Sequence, residues 1–500
     1  MKPEILLGPP GTGKTTNLID IVRQEMAAGT DPRRIGYVAF TVRAAEEARD
    51  RARNELGLSR ADLPHFGTLH SVAKRWAGIS SKDVMSGAKI KEFAEWIGEP
   101  IAGKFNDDGS FAGYERGDRM MFMDNLARVR GTPLRTVFEE AHDDLEWPAV
   151  ERFSAGLRSY KAEHGLYDFT DMLQEFVEGG NGPDLDVLIG DEVQDFSWLQ
   201  YEAFQSLGAD ARRIVVAGDD DQGIFAWSGA DPGILTNMEG DARVLDQSYR
   251  VPIQVQKVAS RIIARVRNRR PKEWLPRAED GEVRHLTHWT EAPLDGDSVM
   301  ILSRNRRPLQ EIEKQLHMMG VFYRGPNGNP SVSRKLIDAV VTWERLRRGE
   351  PQFAADVLRV YEHMSSGIGV ERGHKTLPGI PPDRPMRMDE LRSEGGLMRD
   401  DAWHLALDRV PVAAREYLIR CRRRGERLMQ EPRVRVSTIH GSKGGEAGRV
   451  ILLTDMEPRT WREMRADPES EARVFYVAVT RARNELMIVQ PSTRLSYNIP

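Results

Sequence analysis

The run Gly8-Pro9-Pro10-Gly11-Thr12-Gly13-Lys14-Thr15 combines chain-loosening glycines, a lysine and a hydroxyl residue at the G-x-x-x-x-G-K-[ST] spacing. Placed between a strand and a helix, such a run wraps backbone N–H groups around phosphates, and the helix N-terminus adds a favourable dipole. Lys14 is then placed to reach the β and γ phosphates, and the Thr15 hydroxyl to ligate Mg²⁺. The acidic counterpart follows the apolar run 187–190 as Asp191-Glu192. An acidic residue leaving the C-terminal end of a parallel strand faces the crevice where ligands sit. Asp191 is read as holding Mg²⁺ through water, and Glu192 as orienting and deprotonating the attacking water. The chemistry these residues can do together is hydrolysis of a nucleoside triphosphate.

These side chains need a parallel sheet behind them. Apolar runs at 4–7, 35–40, 186–190 and 214–217 read as buried strands, with helix-period segments such as 17–26 and 44–56 between them. That alternation predicts an α/β domain with crossover helices. Residues 81–165 break the rhythm: helical in pattern, rich in Met, Trp and charge, and without a convincing strand. A second α/β pattern begins near 247, with strands expected at 299–303, 434–438, 449–453 and 485–489. Gly and Pro cluster between 350 and 430, again without strand rhythm. The expected organisation is a first sheet domain over 1–80 and 166–246 with a helical insertion at 81–165. A second sheet domain covers 247–349 and 431–500, with an insertion at 350–430.

Bulk composition agrees with that plan. A chain of 500 residues exceeds what one hydrophobic core serves, and 40% hydrophobic with 30% charged residues describes an ordinary globular protein. The single cysteine, Cys421, precludes an intrachain disulfide and fits a reducing compartment. The N-terminal apolar run is too short for a signal-peptide core or a membrane span, so a cytoplasmic protein without membrane contact is expected. Net charge is -4, which leaves nucleic-acid binding to local basic patches. Arg261, Arg265, Arg267, Arg269, Arg270 and Lys272 form one such cluster, and Arg420, Arg422, Arg423 and Arg424 another. Each by itself reads as a solvated helix face.

Longer strings extend the phosphate residues in a particular order. Asp191-Glu192-Val193-Gln194-Asp195 resembles the DExQD box of UvrD/Rep/PcrA-like superfamily 1 helicases. Phe40-Thr41-Val42-Arg43-Ala44-Ala45 and Gly67-Thr68-Leu69-His70-Ser71 resemble that family's first single-strand-binding motifs, and Tyr167-Asp168-Phe169-Thr170-Asp171-Met172-Leu173 its DFxDLL segment. The run from Gly218-Asp219-Asp220-Asp221-Gln222 to Phe225-Ala226-Trp227 matches GDxDQSIYxW, and Gln247-Ser248-Tyr249-Arg250 matches QxYR. Thr438-Ile439-His440-Gly441-Ser442-Lys443-Gly444-Gly445-Glu446 matches TxHxSKGxE, and Tyr476-Val477-Ala478-Val479-Thr480-Arg481-Ala482 matches YVAxTRA.

The resemblance implies two RecA-like P-loop domains, ATP and Mg²⁺ as cofactors, and an ATP-dependent DNA helicase of replication or repair moving 3′-to-5′ on single-stranded DNA. It implies that Arg250 and Arg481, in the second sheet domain, are arginine fingers, that Gln222 senses the γ-phosphate, that Tyr249 stacks on adenine and that Glu446 meets the ribose. Single-stranded and tailed duplex DNA are the implied partners, with replication or repair proteins beside them, for a monomer or weak dimer. Aromatic faces stack on any base, which suits a motor that must pass over every sequence. Trp227, followed by polar Ser228-Gly229, is expected to be exposed, whereas Phe225 fits either a stacking face or a core aromatic. Thr41, Arg43, Thr68, His70, His440 and Lys443 are candidate phosphate contacts.

The departures are specific. Only seven residues precede Gly8, so the family's adenine-contacting Q-motif is expected to be absent. Thr16 stands where relatives carry an arginine that stacks opposite the tyrosine, and Ser228 replaces the arginine that usually follows the tryptophan. Both insertions are short by family standards. The competing expectations are a translocase that strips proteins without unwinding, a scaffold with a dead ATPase, and a nuclease-fused relative. The scaffold reading conflicts with an intact set of catalytic residue types, and the nuclease reading with the absence of a second carboxylate cluster after the last motif.

Overall fold

The computed structural model describes residues 2–105 and 111–500. Strands Phe66–Thr68, Ile35–Ala39, Val187–Asp191, Arg213–Gly218, Glu4–Leu7 and Asp241–Val244 lie side by side in that order as one six-stranded sheet, every pairing parallel. A parallel sheet is covered on both faces, which is why its strands read as continuous apolar runs rather than alternating ones. On one face Leu18, Ile19 and Val22 of helix Lys14–Ala27 and Ala45, Ala48 and Ala52 of helix Val42–Leu56 pack on Tyr37, Ile189 and Val215. On the other, helices Leu69–Trp76, Phe169–Gly179 and Trp198–Leu207 bury Val72, Leu173, Phe176, Phe204 and Leu207 against Val38, Leu188 and Val216. Because all strands run the same way, the loops after Leu7, Ala39, Thr68, Asp191 and Gly218 leave by one edge.

Helices Gly87–Ile97, Arg116–Arg130, Leu134–Ala141 and Trp147–His164 gather around Phe93, Met120, Met121 and Phe153 in a separate core. The region was expected to lack strands, and it holds a short antiparallel pair, Lys104–Phe105 with Phe111–Ala112. Segments that short carry no periodicity for sequence patterning to detect.

The second sheet runs Glu282–Leu286, Ala482–Val489, Ala447–Leu453, Val299–Ser303, Val434–Thr438, Tyr323–Arg324, again all parallel. Its core is continuous with that of the 350–430 region, where Tyr361, Trp403, Tyr417 and the free thiol of Cys421 are buried. Both sheets are RecA-like α/β layers, as expected. Among the described residues no helix is long and apolar enough to cross a membrane.

The chain divides into two compact units: Met1–Gly281 with Arg462–Thr480 and Ile499–Pro500, and Glu282–Trp461 with Arg481–Asn498. Residues 247–281 and 462–480, read from sequence as part of the second sheet domain, thus pack with the first unit. Arg250 therefore belongs to the unit that carries the glycine-rich loop.

Candidate functional site

The loop 8–13 is shaped by glycine and by a strand laid across it. Gly11 and Gly13 have φ +73° and +77°, the left-handed region that a side chain disfavours. A Cβ on Gly11 would also collide with Arg250 Cβ. That crowding comes from strand Gln247–Pro252, whose Tyr249 N–H donates to Gly11 O at 2.8 Å while Ser248 Oγ donates to Pro10 O at 2.7 Å. Thr12 Oγ1 closes the loop on Pro9 O at 2.8 Å. Helix Lys14–Ala27 starts at Gly13, which brings no capping side chain, and a helix start of that kind suits an anion. Tyr249 is 70% exposed beside this loop.

Lys14 Nζ donates to Gly8 O at 3.0 Å and pairs with Glu192 Oε1 at 3.3 Å. Glu192 has φ 56°, one of three non-glycine residues in the left-handed region among those described. That conformation costs on the order of 1–3 kcal/mol, and such strain gathers at functional sites. It turns the carboxylate back over the strand end toward the lysine. Asp191 is buried, and burial, with the neighbouring Glu192 charge, pushes its carboxyl up to about 6 against the pull of Lys14. A buried carboxylate at the strand end, a ligand that offers oxygen only, fits a hard divalent cation such as Mg²⁺.

From Glu192 a chain of hydrogen bonds leads away from the loop. Gln194 Nε2 donates to Glu192 Oε2 at 2.5 Å, and Gln194 Oε1 accepts the Asp219 N–H at 2.9 Å. Gln222 Nε2 donates to Asp219 Oδ2 at 2.7 Å. Both glutamines are buried, so each amide bond is made in low dielectric. The same backbone continues into Phe225 and the turn Ala226–Ser228, where the Phe225 carbonyl accepts from Ser228 N and Oγ, both at 2.9 Å. Phe225 stacks on Phe40 at 5.4 Å and is partly buried, the core alternative for that residue, whereas Trp227 is 46% exposed. Arg130 of the inserted helices donates to Ala226 O at 3.1 Å, fixing this turn from outside.

The other sequence-predicted residues fall into distinct places. Thr41 and Thr68 cap helices Val42–Leu56 and Leu69–Trp76, accepting from Ala44 N and Ser71 N. Arg43 is exposed. His70 is buried edge-on against Phe169, and burial pulls its imidazole down to about 4, so it sits in the fold as a neutral ring. Thr16, where relatives carry arginine, accepts a 2.7 Å hydrogen bond from Arg51 of helix Val42–Leu56, so a guanidinium reaches this position from another element. His440, Lys443, Glu446 and Arg481 lie in the second unit. There Arg481 is buried and donates to Gly445 O at 3.2 Å, and Glu446 pairs with Arg483 at 3.1 Å.

Several residues escaped sequence reading. Asp168 is wholly buried between Arg128, at 2.6 and 3.1 Å, and Lys161, at 2.6 Å, which together hold its carboxyl well below the usual range despite burial. The Asp168–Asp171 segment, quoted above as a motif, thereby bolts the inserted helices to the first sheet. In the basic stretch 261–272, read as a solvated face, Lys272 is buried with its ammonium on Asp219, Asp220 and Asp221, and Arg269 binds Asp221 at 2.7 and 2.5 Å. That ammonium occupies the place where three carboxylates converge. Tyr37 donates its hydroxyl to Asp191 Oδ2 at 2.8 Å. Its only sequence signal was an aromatic in an apolar strand, which reads as core.

Comparison with known proteins agrees with this geometry. The UvrD/REP helicase N-terminal domain model matches residues 1–243, and the UvrD-like helicase C-terminal domain model matches residues 420–493. YjcD of Bacillus subtilis (strain 168) is 22% identical over 98% of this chain and 77% of its own length. The ATP-dependent DNA helicase Rep of Escherichia coli (strain K12) is 27% identical over 52% of this chain and 41% of its own length. PcrA of Leuconostoc citreum is 23% identical over 73% of this chain and 50% of its own length. The chain thus spans half or less of the length of Rep and PcrA. With both family models matched in order, and their motifs set at the ends of parallel strands, the chain belongs to the UvrD/Rep/PcrA-like superfamily 1 of ATP-dependent DNA helicases.

Proposed function

We propose that this chain hydrolyses ATP at the 8–16 loop, moves 3′-to-5′ along single-stranded DNA and unwinds tailed duplexes. The observation that carries this reading is the hydrogen-bonded chain from Lys14 through Glu192, Gln194 and Asp219 to Gln222, ending at the turn that presents Trp227. Lys14 and Glu192 pair at 3.3 Å and neutralise each other. A γ-phosphate would draw Lys14 to itself, releasing Glu192 to orient and deprotonate water. Gln194, bonded to Glu192 on one side and to the Asp219 backbone on the other, would carry that change to Gln222. Trp227, held on the following turn, would then alter its grip on a stacked base.

When bound, Mg²⁺ neutralises charge on the phosphates. Thr15 and Asp191 are the residues proposed to hold it. Arg250, lying over the loop, and Arg481 are proposed to stabilise charge on the transferred phosphoryl group, and Tyr249 and Glu446 to bind the nucleoside. Thr41, Arg43, Thr68, His440 and Lys443 are proposed along the DNA track. His70, as a neutral buried ring, would shape that surface rather than pair with phosphate. The regions 81–165 and 350–430 are proposed as insertions in two RecA-like domains. A monomer or weak dimer working with replication or repair proteins fits the same reading.

The test is ATP turnover with and without single-stranded DNA, followed by strand displacement from 3′- and 5′-tailed duplexes. Stimulation with displacement of the 3′-tailed substrate is expected. Stimulation without displacement would reduce the motor to a translocase, and no stimulation would overturn the coupling.

A further inference from the structure

We propose that Tyr37 is a positioning residue that fixes the orientation of the Asp191 carboxylate, an inference that rests on the assignment of Asp191 to cation handling. Strand Ile35–Ala39 runs beside Val187–Asp191 in parallel register, with Tyr37 opposite Ile189 and Ala39 opposite Asp191. Residues 189 and 191 point to the same face of the sheet. A ring at position 37 that leans along its strand therefore reaches the residue diagonal to its own partner, a span that aromatic side chains cover. The ring is fully buried and stacked on Phe66, with centroids 5.2 Å apart and planes at 20°. It is held in place by packing before any polar contact is counted.

The hydroxyl is the part that packing does not explain. Phenylalanine would fill the same space, and a buried hydroxyl costs free energy unless it is bonded. Its bond is the 2.8 Å donation to Asp191 Oδ2. Asp191 Oδ1 accepts the Glu192 N–H at 2.9 Å. Each carboxylate oxygen thus has a donor on a rigid element: a backbone amide at the strand end, and a phenol clamped in the core. A carboxylate held at one oxygen can swing about its last bond. Held at both, it presents its remaining lone pairs in one direction. Magnesium demands near-ideal octahedral geometry and keeps much of its water. A carboxylate that binds those waters must therefore be aimed, and outer partners supply the aim.

Tyr37→Phe removes the hydroxyl and keeps the ring. In the full chain, binding of a fluorescent non-hydrolysable ATP analogue is titrated with MgCl₂ and repeated in EDTA, with a thermal melt of each sample. The Mg²⁺ concentration at half-maximal binding is expected to rise about tenfold, while affinity in EDTA and the melting temperature stay at wild-type values. An unchanged Mg²⁺ requirement overturns the inference. So does a variant that melts lower and binds equally less well with and without Mg²⁺, since that marks Tyr37 as packing alone. Asp191→Asn, measured alongside, separates the two levels. If it leaves the Mg²⁺ requirement unchanged, the assignment of Asp191 falls and this inference with it. If it shifts the requirement and Tyr37→Phe does not, only the role of Tyr37 is lost.

Discussion

The two six-stranded sheets share an all-parallel plan, and one strand end of each, after Glu4–Leu7 and after Val299–Ser303, is used in opposite ways. In the first, strand Glu4–Leu7 opens into residues 8–13, a glycine-rich loop that leads to the start of helix Lys14–Ala27. In the second, Val299–Ser303 passes through Arg304 and Asn305 directly into helix Arg306–Met319. Asn305 is spent on its own chain: Oδ1 accepts the Glu457 N–H at 3.0 Å, and Nδ2 donates to Thr460 Oγ1 at 2.8 Å. Buried charge follows the same division. Asp168, Asp191, Asp219, Asp220, Asp221 and Lys272 are buried in the first unit, whereas among the described residues Arg481 is the one buried charged residue of the second. A parallel sheet offers an edge, and only the loop chemistry turns that edge into a site.

The largest way to break the comparison is to remove chemistry from the open edge. Lys14→Ala and Glu192→Gln should each lower ATP turnover about a thousandfold or more, the scale of a lost charge stabiliser or general base. Glu192→Gln should still bind nucleotide, because the loop amides and Lys14 remain. Phosphate release under saturating ATP checks the first claim, and equilibrium nucleotide binding the second. Ordinary turnover in either variant would dissolve the distinction between the two edges.

A second test addresses buried charge. Asp168→Ala would remove the fully buried carboxylate that Arg128 and Lys161 share and leave the two cations to Asp171 and Asp124, a loss of about 3 kcal/mol. The counterpart in the second unit is Arg334→Ala, which breaks an exposed pair with Asp338 at 3.0 Å and should cost about 1 kcal/mol or less. Urea unfolding of both variants measures the contrast, and similar losses would contradict it.

What could be read in the sequence follows the same line. The strands that bracket the open edge announced themselves because a doubly covered parallel strand is a solid apolar run: 299–303 and 434–438 were placed to the residue. The loop 8–15 and Asp191-Glu192 were legible because phosphate chemistry constrains residue type at fixed spacing. The strands Phe66–Thr68 and Tyr323–Arg324 were not, being too short to show a period. Lys272 was misread as a solvated cation because its three aspartates lie some fifty positions away in sequence. The exposures of Trp227 and Phe225 parted as local polarity suggested, yet nothing near Tyr37 signals that its hydroxyl meets a carboxylate two strand positions along. Periodicity reports burial; it does not report which buried polar group meets which.

His70 sharpens the comparison through pH. Its imidazole lies at about 4 in the fold against 6.5 for an unperturbed ring, because burial disfavours the charged form. Below pH 6.5 the unfolded chain takes up a proton that the folded chain refuses until about pH 4. The neutral ring's contribution is therefore intact above 6.5 and lost as pH falls through that window, by about 3 kcal/mol in all. His70→Asn should flatten this part of the acid dependence of the first unit. Stability measured between pH 7 and pH 4 in both proteins gives the difference directly, and parallel curves would refute it.

The smallest effect belongs to the closed edge. Asn305→Ala removes an acceptor from Glu457 N–H and a donor to Thr460, both partly buried, and should destabilise the second unit by about 1–2 kcal/mol. Nucleotide affinity at the 8–16 loop should stay within about twofold, since the change creates no glycine-shaped cradle and alters no residue of the open edge. The two readings part clearly: a modest loss of stability with unchanged affinity means that Asn305 closes a strand end that has no ligand of its own. A large fall in nucleotide affinity without a loss of stability would mean that this strand end takes part in the chemistry, and the division between an open and a closed sheet would have to be redrawn around it.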